Sequence, residues 1–256
     1  MTLLLIFLLG LAVGSFVNVV IDRLPKGISV IKGRSKCDFC RRKLSIADLI
    51  PLISFFMLKG KCRYCEKKLS RQYPFIEFLT GFSFVIIAYL SVNGILTHRP
   101  YPLILILFLI PNLVAIFGID LKYRIIPDEI LIVILSIFTV YIVLFQRDLI
   151  FNHFISGTGM FLGFLFLVLI TKGRGMGLGD VKYAFVMGLI SGFPRVIVAF
   201  YAAFLTGAVI SLILIIMRKK SVKSTLPFGP FLVTATLIAV LTGDYLIYSF
   251  LRLTGL

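Results

Sequence analysis

Tryptophan is absent from the 256 residues, histidine occurs twice, and 11 acidic residues face 27 basic ones. Polar residues are scarce throughout: 59% of the chain is hydrophobic and 15% charged. A soluble domain needs a polar exterior that this composition cannot supply. The apolar runs lack apolar/polar alternation, which excludes a membrane barrel and leaves helices to satisfy the backbone in lipid. Residues 1–21 lack a basic start and a small-x-small cleavage site, so they are expected to stay as an uncleaved first helix. No low-complexity tract and no internal repeat is evident. No G-x-G-x-x-G nucleotide fingerprint occurs. Ser15 and Ser156 have no histidine on the same face, which argues against a serine protease.

What is present is a series of apolar runs of bilayer length, roughly 17–25 residues each. Eight spans are expected, at 3–21, 74–92, 101–119, 129–146, 153–171, 180–193, 196–216 and 228–250, the sixth short. The fold class is therefore an all-α polytopic membrane protein with a small cytoplasmic loop domain. Its parts are a first transmembrane helix (1–21), a four-cysteine loop domain (22–73) and a transmembrane domain (74–256). The net charge of +16 would suit a nucleic acid, but its placement has another cause. With 22–73 in the cytoplasm, only Arg99, Arg147, Arg195 and Arg252 fall outside, and the other 23 basic residues lie inside or at that interface. This is the positive-inside pattern. The same face suits anionic lipid head groups, and no nucleic-acid partner is expected. The even span count puts both termini outside. The 25 Phe and 10 Tyr are expected to face lipid or neighbouring helices.

All four cysteines lie in the soluble loop, as CDFC (Cys37, Cys40) and CRYC (Cys62, Cys65), with 21 residues between the pairs. Two C-x2-C knuckles at this spacing can close a tetrahedral zinc site of four thiolates. The flanking Lys36, Arg41, Arg42, Lys61, Arg63, Lys67 and Lys68 favour thiolates. Disulfides suit a cytoplasmic loop poorly, and a redox C-x-x-C lacks a thioredoxin-like setting. Four thiolates leave no open coordination position, so Zn2+ here is expected to be structural, folding a loop too small to bury a core.

Four acids gather at the cytoplasmic ends of the spans: Asp120, Asp128, Glu129 and Asp180. Helix capping and the macrodipole account for acids at helix starts. Pro127 suits a first helical turn with Asp128 and Glu129 after it. Capping accounts for Asp180 in part. It fails for Asp120, which closes FGID at a helix C-terminus, where the dipole disfavours an anion. Two carboxylates in a partly dehydrated site share one proton and together can activate water. Gly175, Gly177 and Gly179 in GMGLGD lack Cβ atoms, so a substrate backbone or a neighbouring helix can come close. Capping, an aspartyl dyad and an ion or proton pathway all remain open on these residues alone.

At this point the chain resembles the type IV prepilin peptidases, membrane aspartyl proteases of which many also carry N-methyltransferase activity. The ordered matches are GSFVNVVIDRLP (14–25), the paired C-x-x-C motifs, RQYPFIEFLTG (71–81), IDLKYRIIPD (119–128) and GMGLGDVK (175–182), which contains the GxGD signature. The resemblance implies that Asp120 and Asp180 are the catalytic pair. One family pattern has a second acid two residues after the first; Lys122 stands there in this chain, which favours Asp120. Asp128 is the reserve candidate for the pair, placed otherwise as a nearby polar or substrate-contacting residue; Gly177 and Gly179 are candidates to admit substrate, and Asn18 to contact it or to bond across helices. The resemblance implies cleavage of a short basic leader from prepilins or pseudopilins at the cytoplasmic face of the bacterial inner membrane. It further implies methylation of the new N-terminus by S-adenosylmethionine in the N-terminal region, where Glu77 and Arg71 are candidates either for that site or for a helix-edge charge pair. His98 and His153 are expected outside, away from the aspartates.

Two other classes compete. A transporter in which Asp120, Asp128 and Asp180 handle cations expects acids near the midplane and two similar halves; here the acids keep to one face and the cysteine loop occurs once. A zinc-stapled scaffold without catalysis leaves Asp120 unexplained.

Overall fold

The computed structural model describes residues 2–94, 101–173, 175–217 and 226–254; His98 lies outside them. The described residues form helices α1 (Thr2–Arg23), α2 (Ile53–Met57), α3 (Gln72–Val92), α4 (Leu103–Tyr123), α5 (Asp128–Phe145), α6 (Ile150–Ile170), α7 (Leu178–Ser191), α8 (Arg195–Ile216) and α9 (Gly229–Thr254). Extended pairing among them is confined to two isolated bridges, Lys36 with Lys43 and Lys61 with Lys68. Among the described residues, seven helices are long and apolar enough to cross a membrane: all except α2 and α7.

The chain divides into two compact units, one holding residues 2–94 and 101–119, the other beginning at Asp120. In the first, α1 and α3 pack through absent side chains. A Cβ on Gly10 would stand 2.7 Å from the Cα of Gly81, and one on Gly14 would stand 2.8 Å from the Cα of Glu77. The partners run in opposite order, so the helices are antiparallel. The Gly10–Gly14 spacing of four puts both glycines on one face, where small residues let backbones meet closely in lipid. On α4, a Cβ at Gly118 would lie 2.5 Å from Ile21 Cδ1, so that glycine admits the isoleucine of α1.

The second unit is built around α7, which packs against α5, α6, α8 and α9. From Asp180 to Ser191 its residues are buried except Lys182 and the half-buried Phe185. Gly188 meets α6 at Ser156 and Gly157, where a Cβ would come within 2.5 Å of the Ser156 carbonyl oxygen. His153 Nδ1, facing a carbonyl that only accepts, donates to Leu189 O at 2.7 Å. Tyr183 OH stands 2.9 Å from Thr236 Oγ1 on α9. Thr236 gives its proton to Leu232 O, so Tyr183 is the donor. Arg195 on α8 pairs with Asp244 on α9 at 2.7 Å, which gives that sequence-remote acid a structural partner.

The expected sixth span differs from the other seven. At 14 residues, α7 is about 21 Å long and falls short of a hydrocarbon core of roughly 30 Å. Its sheath of four helices explains how it can be short, because backbone ends buried in protein need not reach the bilayer surface.

Replacing Gly188 with Val drives a branched side chain into the α6 backbone. Overpacking of this kind costs about 1–3 kcal/mol, so Gly188→Val is expected to lower the temperature at which the detergent-solubilised protein loses its monodisperse gel-filtration peak. An unchanged temperature would mean that the α6–α7 contact is loose.

Candidate functional site

Asp180 is the third residue of α7 and is 9% exposed. Its Oδ2 reaches back to accept the Gly177 N–H at 2.9 Å, the arrangement a helix start favours for an acid. The turn before it lies at the surface, with Gly177 and Leu178 exposed. The carboxylate thus sits one turn inside an open edge.

Asp120 lies in the last turn of α4 and is 5% exposed. Its Oδ2 accepts the Gly229 N–H at 2.8 Å. Gly229 is the first residue of the 26-residue α9. The anion that its own helix end disfavours therefore rests on the positive start of another helix. A Cβ at position 229 would stand 2.6 Å from Asp120 Oδ2, so only glycine permits this approach. The charges of Asp180 and Arg124 both act on Asp120. The two acids are buried, each holds a backbone donor, and they share an electrostatic neighbourhood.

The link between α4 and α5 completes the surroundings. Arg124 takes a left-handed backbone (φ 58) while its N–H bonds Asp120 O at 2.9 Å, ending α4. Ile126 then passes close to Gly179, whose Cβ would meet it at 3.3 Å. Pro127 is the residue before α5 rather than part of its first turn, and Asp128 opens the helix. Lys182 Nζ lies 2.9 and 2.7 Å from the two oxygens of Asp128. Both side chains are more than half exposed, so the pair is worth about 0–1 kcal/mol. The glycines divide in role: Gly179 makes room for Ile126, whereas a Cβ at Gly177 or Gly175 would meet nothing nearer than 3.8 Å.

The cysteine loop is the same knuckle made twice. Residues 36–45 read KCDFCRRKLS and residues 61–70 read KCRYCEKKLS, a short internal repeat where none was expected. In each, the residue after the second cysteine (Arg41, Glu66) is left-handed. Its N–H returns to the first cysteine's carbonyl, while the first cysteine's N–H bonds the carbonyl at Arg42 or Lys67. The four sulphurs lie within 4.8 Å of one another, with Cys37 Sγ and Cys65 Sγ 3.9 Å apart. Zinc–thiolate bonds of about 2.3 Å in a tetrahedron put sulphurs about 3.8 Å apart, so the donor set and its spacing fit a metal ion. Arg42 lies over the Tyr64 ring at 4.6 Å and Lys67 over the Phe39 ring at 5.1 Å, each reaching across to the other knuckle. Asp48 joins the two, accepting from Ser45, from Arg63 Nε at 2.6 Å and from Tyr64 OH. Burial pushes its carboxyl up, but these hydrogen bonds outweigh it and hold the group below its ordinary value.

Asn18 is 4% exposed and does bond across helices, its Nδ2 donating to Tyr73 O at 3.0 Å. Its Oδ1 is buried without a partner, an arrangement that costs about 1–3 kcal/mol. Glu77 Oε2 accepts the N–H of Leu52, whose φ of 59 is rare for a branched residue. Arg71 is exposed beside the start of α3. Residue-level reading missed Gly229, Arg23 and Tyr73. The signals were LPFGP, where a glycine precedes a helix-starting proline, and the Arg23 and Tyr73 positions within the two quoted motifs.

Two family matches cover most of the chain. Residues 8–91 match the bacterial peptidase A24 N-terminal domain, and residues 105–212 match the type IV leader peptidase family. The chain is 30% identical to the prepilin leader peptidase/N-methyltransferase of Bacillus subtilis, over 97% of this chain and 98% of that protein. It is 27% identical to the protein of the same name from Pseudomonas aeruginosa, over 97% and 93%. A third, from Aeromonas hydrophila, is 30% identical over 94% and 90%. No solved structure matches.

The knuckles yield a metal-binding prediction with a definite sign. The Lys67 N–H favours a Cys65 thiolate, but burial and the sulphurs of Cys62, Cys40 and Cys37 outweigh it and push the thiol up to about 11. A cation bound by thiolates must displace those protons, so affinity rises with pH. Zinc binding to the purified protein is expected to tighten by at least about tenfold per pH unit between roughly pH 6 and 8. Cys37→Ser is expected to lower zinc content in metal analysis; a wild type that retains no zinc overturns the assignment.

Proposed function

The chain belongs to the type IV leader peptidase family, and we infer that it is a membrane aspartyl endopeptidase that removes the short basic leader of type IV prepilins or pseudopilins. We further infer that it methylates the N-terminus so exposed, with S-adenosylmethionine as donor. The observation that carries the peptidase reading is the pair of buried carboxylates, Asp120 and Asp180, each bonded to a helix-start N–H, with the Asp180 charge acting on Asp120. The transport reading draws no support from the family matches.

The chemistry follows from one proton shared between two acids. The ionised carboxylate takes a proton from water as its oxygen attacks the scissile carbonyl, and the protonated partner gives its proton to the carbonyl oxygen. Collapse of the tetrahedral species expels the amine, which takes a proton from the pair while a hydroxyl of that species returns one to it. The shared proton belongs to the dyad, so neither aspartate is assigned a fixed role. The open edge at Gly175 and Gly177 lies where an extended substrate segment can reach Asp180. Asp128 and Lys182 lie at the same edge as auxiliary polar groups.

The proposed organisation keeps a first transmembrane helix (1–21), a cysteine-loop domain (22–73) and a transmembrane peptidase domain (74–256). The basic residues favour placing the loop and both aspartates at the cytoplasmic face of a bacterial inner membrane, with both termini outside if α7 is counted as a crossing. Zinc held by Cys37, Cys40, Cys62 and Cys65 is structural, since four thiolates complete its shell. S-adenosylmethionine, when bound, would supply the methyl group for the deprotonated new N-terminus and leave as a neutral thioether.

Asp120→Asn and Asp180→Asn keep the shape and lose the proton chemistry. Each is expected to reduce leader removal by about 10³-fold, read by intact-mass spectrometry of a prepilin incubated with membranes carrying equal amounts of inserted protein. Wild-type cleavage by either variant removes that residue from the pair. Gly229→Ala adds the Cβ that would press on Asp120. It is expected to cut the turnover rate by about 10–100-fold, the scale of a small misplacement of a catalytic group. Full activity would show that the α9 start does not position Asp120.

A further inference from the structure

The cysteine loop carries a run of exposed apolar side chains that its own fold does not use. Ile46, Ile50, Ile53, Phe56 and Met57 are 42–82% exposed. The last three belong to the five-residue α2. A cluster of this kind marks a surface that meets another molecule or a membrane.

Two contacts fix where α2 sits. Glu77 Oε2 accepts the Leu52 N–H at 2.8 Å, which ties the residue before α2 to α3. Glu77 lies about 8 Å along α3 from its first residue, Gln72, and α3 is long and apolar enough to cross a membrane. The start of α2 is therefore held beside the first turns of a spanning helix rather than above it in water. The second contact is a crevice of about 420 Å³, walled by Phe55 and Phe56 from α2 and by Phe75 and Phe78 from α3. Phe75, Phe78 and Phe82 share one face of α3 and are each about half exposed. Phe78 stacks on Phe82 at 5.5 Å. The crevice thus continues into an aromatic face of the spanning helix, which lipid covers.

The mouth of the crevice is basic. Arg71, the residue before α3, lines it and is exposed. Glu77 turns instead to Leu52, and among the described residues no ion pair joins it to Arg71. A guanidinium beside the first turn of a spanning helix lies at the level of lipid head groups, and its planar fork suits a phosphate. An apolar slot running into the acyl region with a cation at its mouth matches an amphiphile whose polar end is an anion.

We propose that the crevice between α2 and α3 binds an anionic phospholipid of the leaflet facing the cysteine loop, one acyl chain lying against Phe56, Phe75 and Phe78 and the phosphate paired with Arg71. The lipid fastens the loop to the bilayer through α2 as well as through the two helices that flank it. The proposal needs only that α3 crosses the membrane, and it stands apart from the peptidase and methyl-donor readings.

The lack of tryptophan makes the test local. Phe56→Trp gives the full chain its only indole, and bromine on an acyl chain quenches an indole only near contact. The variant, purified in detergent, is titrated with acyl-brominated phosphatidylglycerol and separately with acyl-brominated phosphatidylcholine. Phosphatidylglycerol is expected to quench saturably, with half-effect at about fivefold lower concentration, the scale of one basic residue acting on an anionic head group. Adding Arg71→Gln is expected to abolish that preference. On the wild type, phosphatidylglycerol with a photoreactive acyl chain is expected to label the 46–58 segment, a reading independent of any variant's folding. An unlabelled segment, or no quenching by either lipid, overturns the proposal and leaves the crevice to a protein helix. Equal half-effects for the two lipids, or a preference that survives Arg71→Gln, overturns the assignment of an anionic head group to Arg71.

Discussion

A carboxylate withdrawn from water needs donors where the water was, and the second unit is arranged to meet that need twice. Asp120 and Asp180 are both buried. Each receives an N–H from the start of a helix. The requirement draws the end of α4 and the starts of α7 and α9 to one place. It forbids a Cβ at Gly229, and α4 ends three residues after Asp120, where Arg124 turns left-handed. The bonds farther along α7, from Tyr183 to Thr236 and from His153 to Leu189 O, hold the helix at the depth where Asp180 meets that neighbourhood.

The cysteine loop answers a different shortage. It has no extended sheet and few buried side chains, with Cys37 and Cys62 the buried hydrophobic residues of its knuckles. Order comes instead from four converging sulphurs, the two left-handed turns, cation–π contacts that cross between knuckles, and Asp48. A dominant metal–thiolate contribution to folding suits a segment of this kind. Arg23 extends the order back to the membrane helix by holding three loop carbonyls from the end of α1.

Much of this was legible in the residues because it is local. Apolar run length marked the spans, the two C-x-x-C pairs marked the four-sulphur cluster, and Asp120 stood out because its helix end offered it nothing. What stayed hidden depends on pairs far apart in the chain. Gly229 lies 109 residues from Asp120, and no local pattern says which helix start will receive that acid. The shortness of α7 was visible, but its sheath of four helices was not, because periodicity cannot tell lipid from protein around an apolar helix. The dual state of Asn18, bonded through nitrogen and orphaned through oxygen, depends on the Tyr73 carbonyl 55 residues away. The KCxxCxxKLS repeat is local too, but its ten residues fall far below the 20–50-residue period of repeat architectures.

The sheath around α7 bears on how the protein lives with its lipids. A helix that faces hydrocarbon tilts, or strains the bilayer, when the membrane thickens or thins, at fractions of a kcal/mol per Å. The helices α5, α6, α8 and α9 carry large apolar side chains at their surfaces, among them Val140, Phe154, Leu205 and Leu246, and they meet that strain first. α7 is referenced to its four protein neighbours instead. A change in bilayer thickness therefore reaches Asp180 through the helices that enclose α7 rather than directly from lipid.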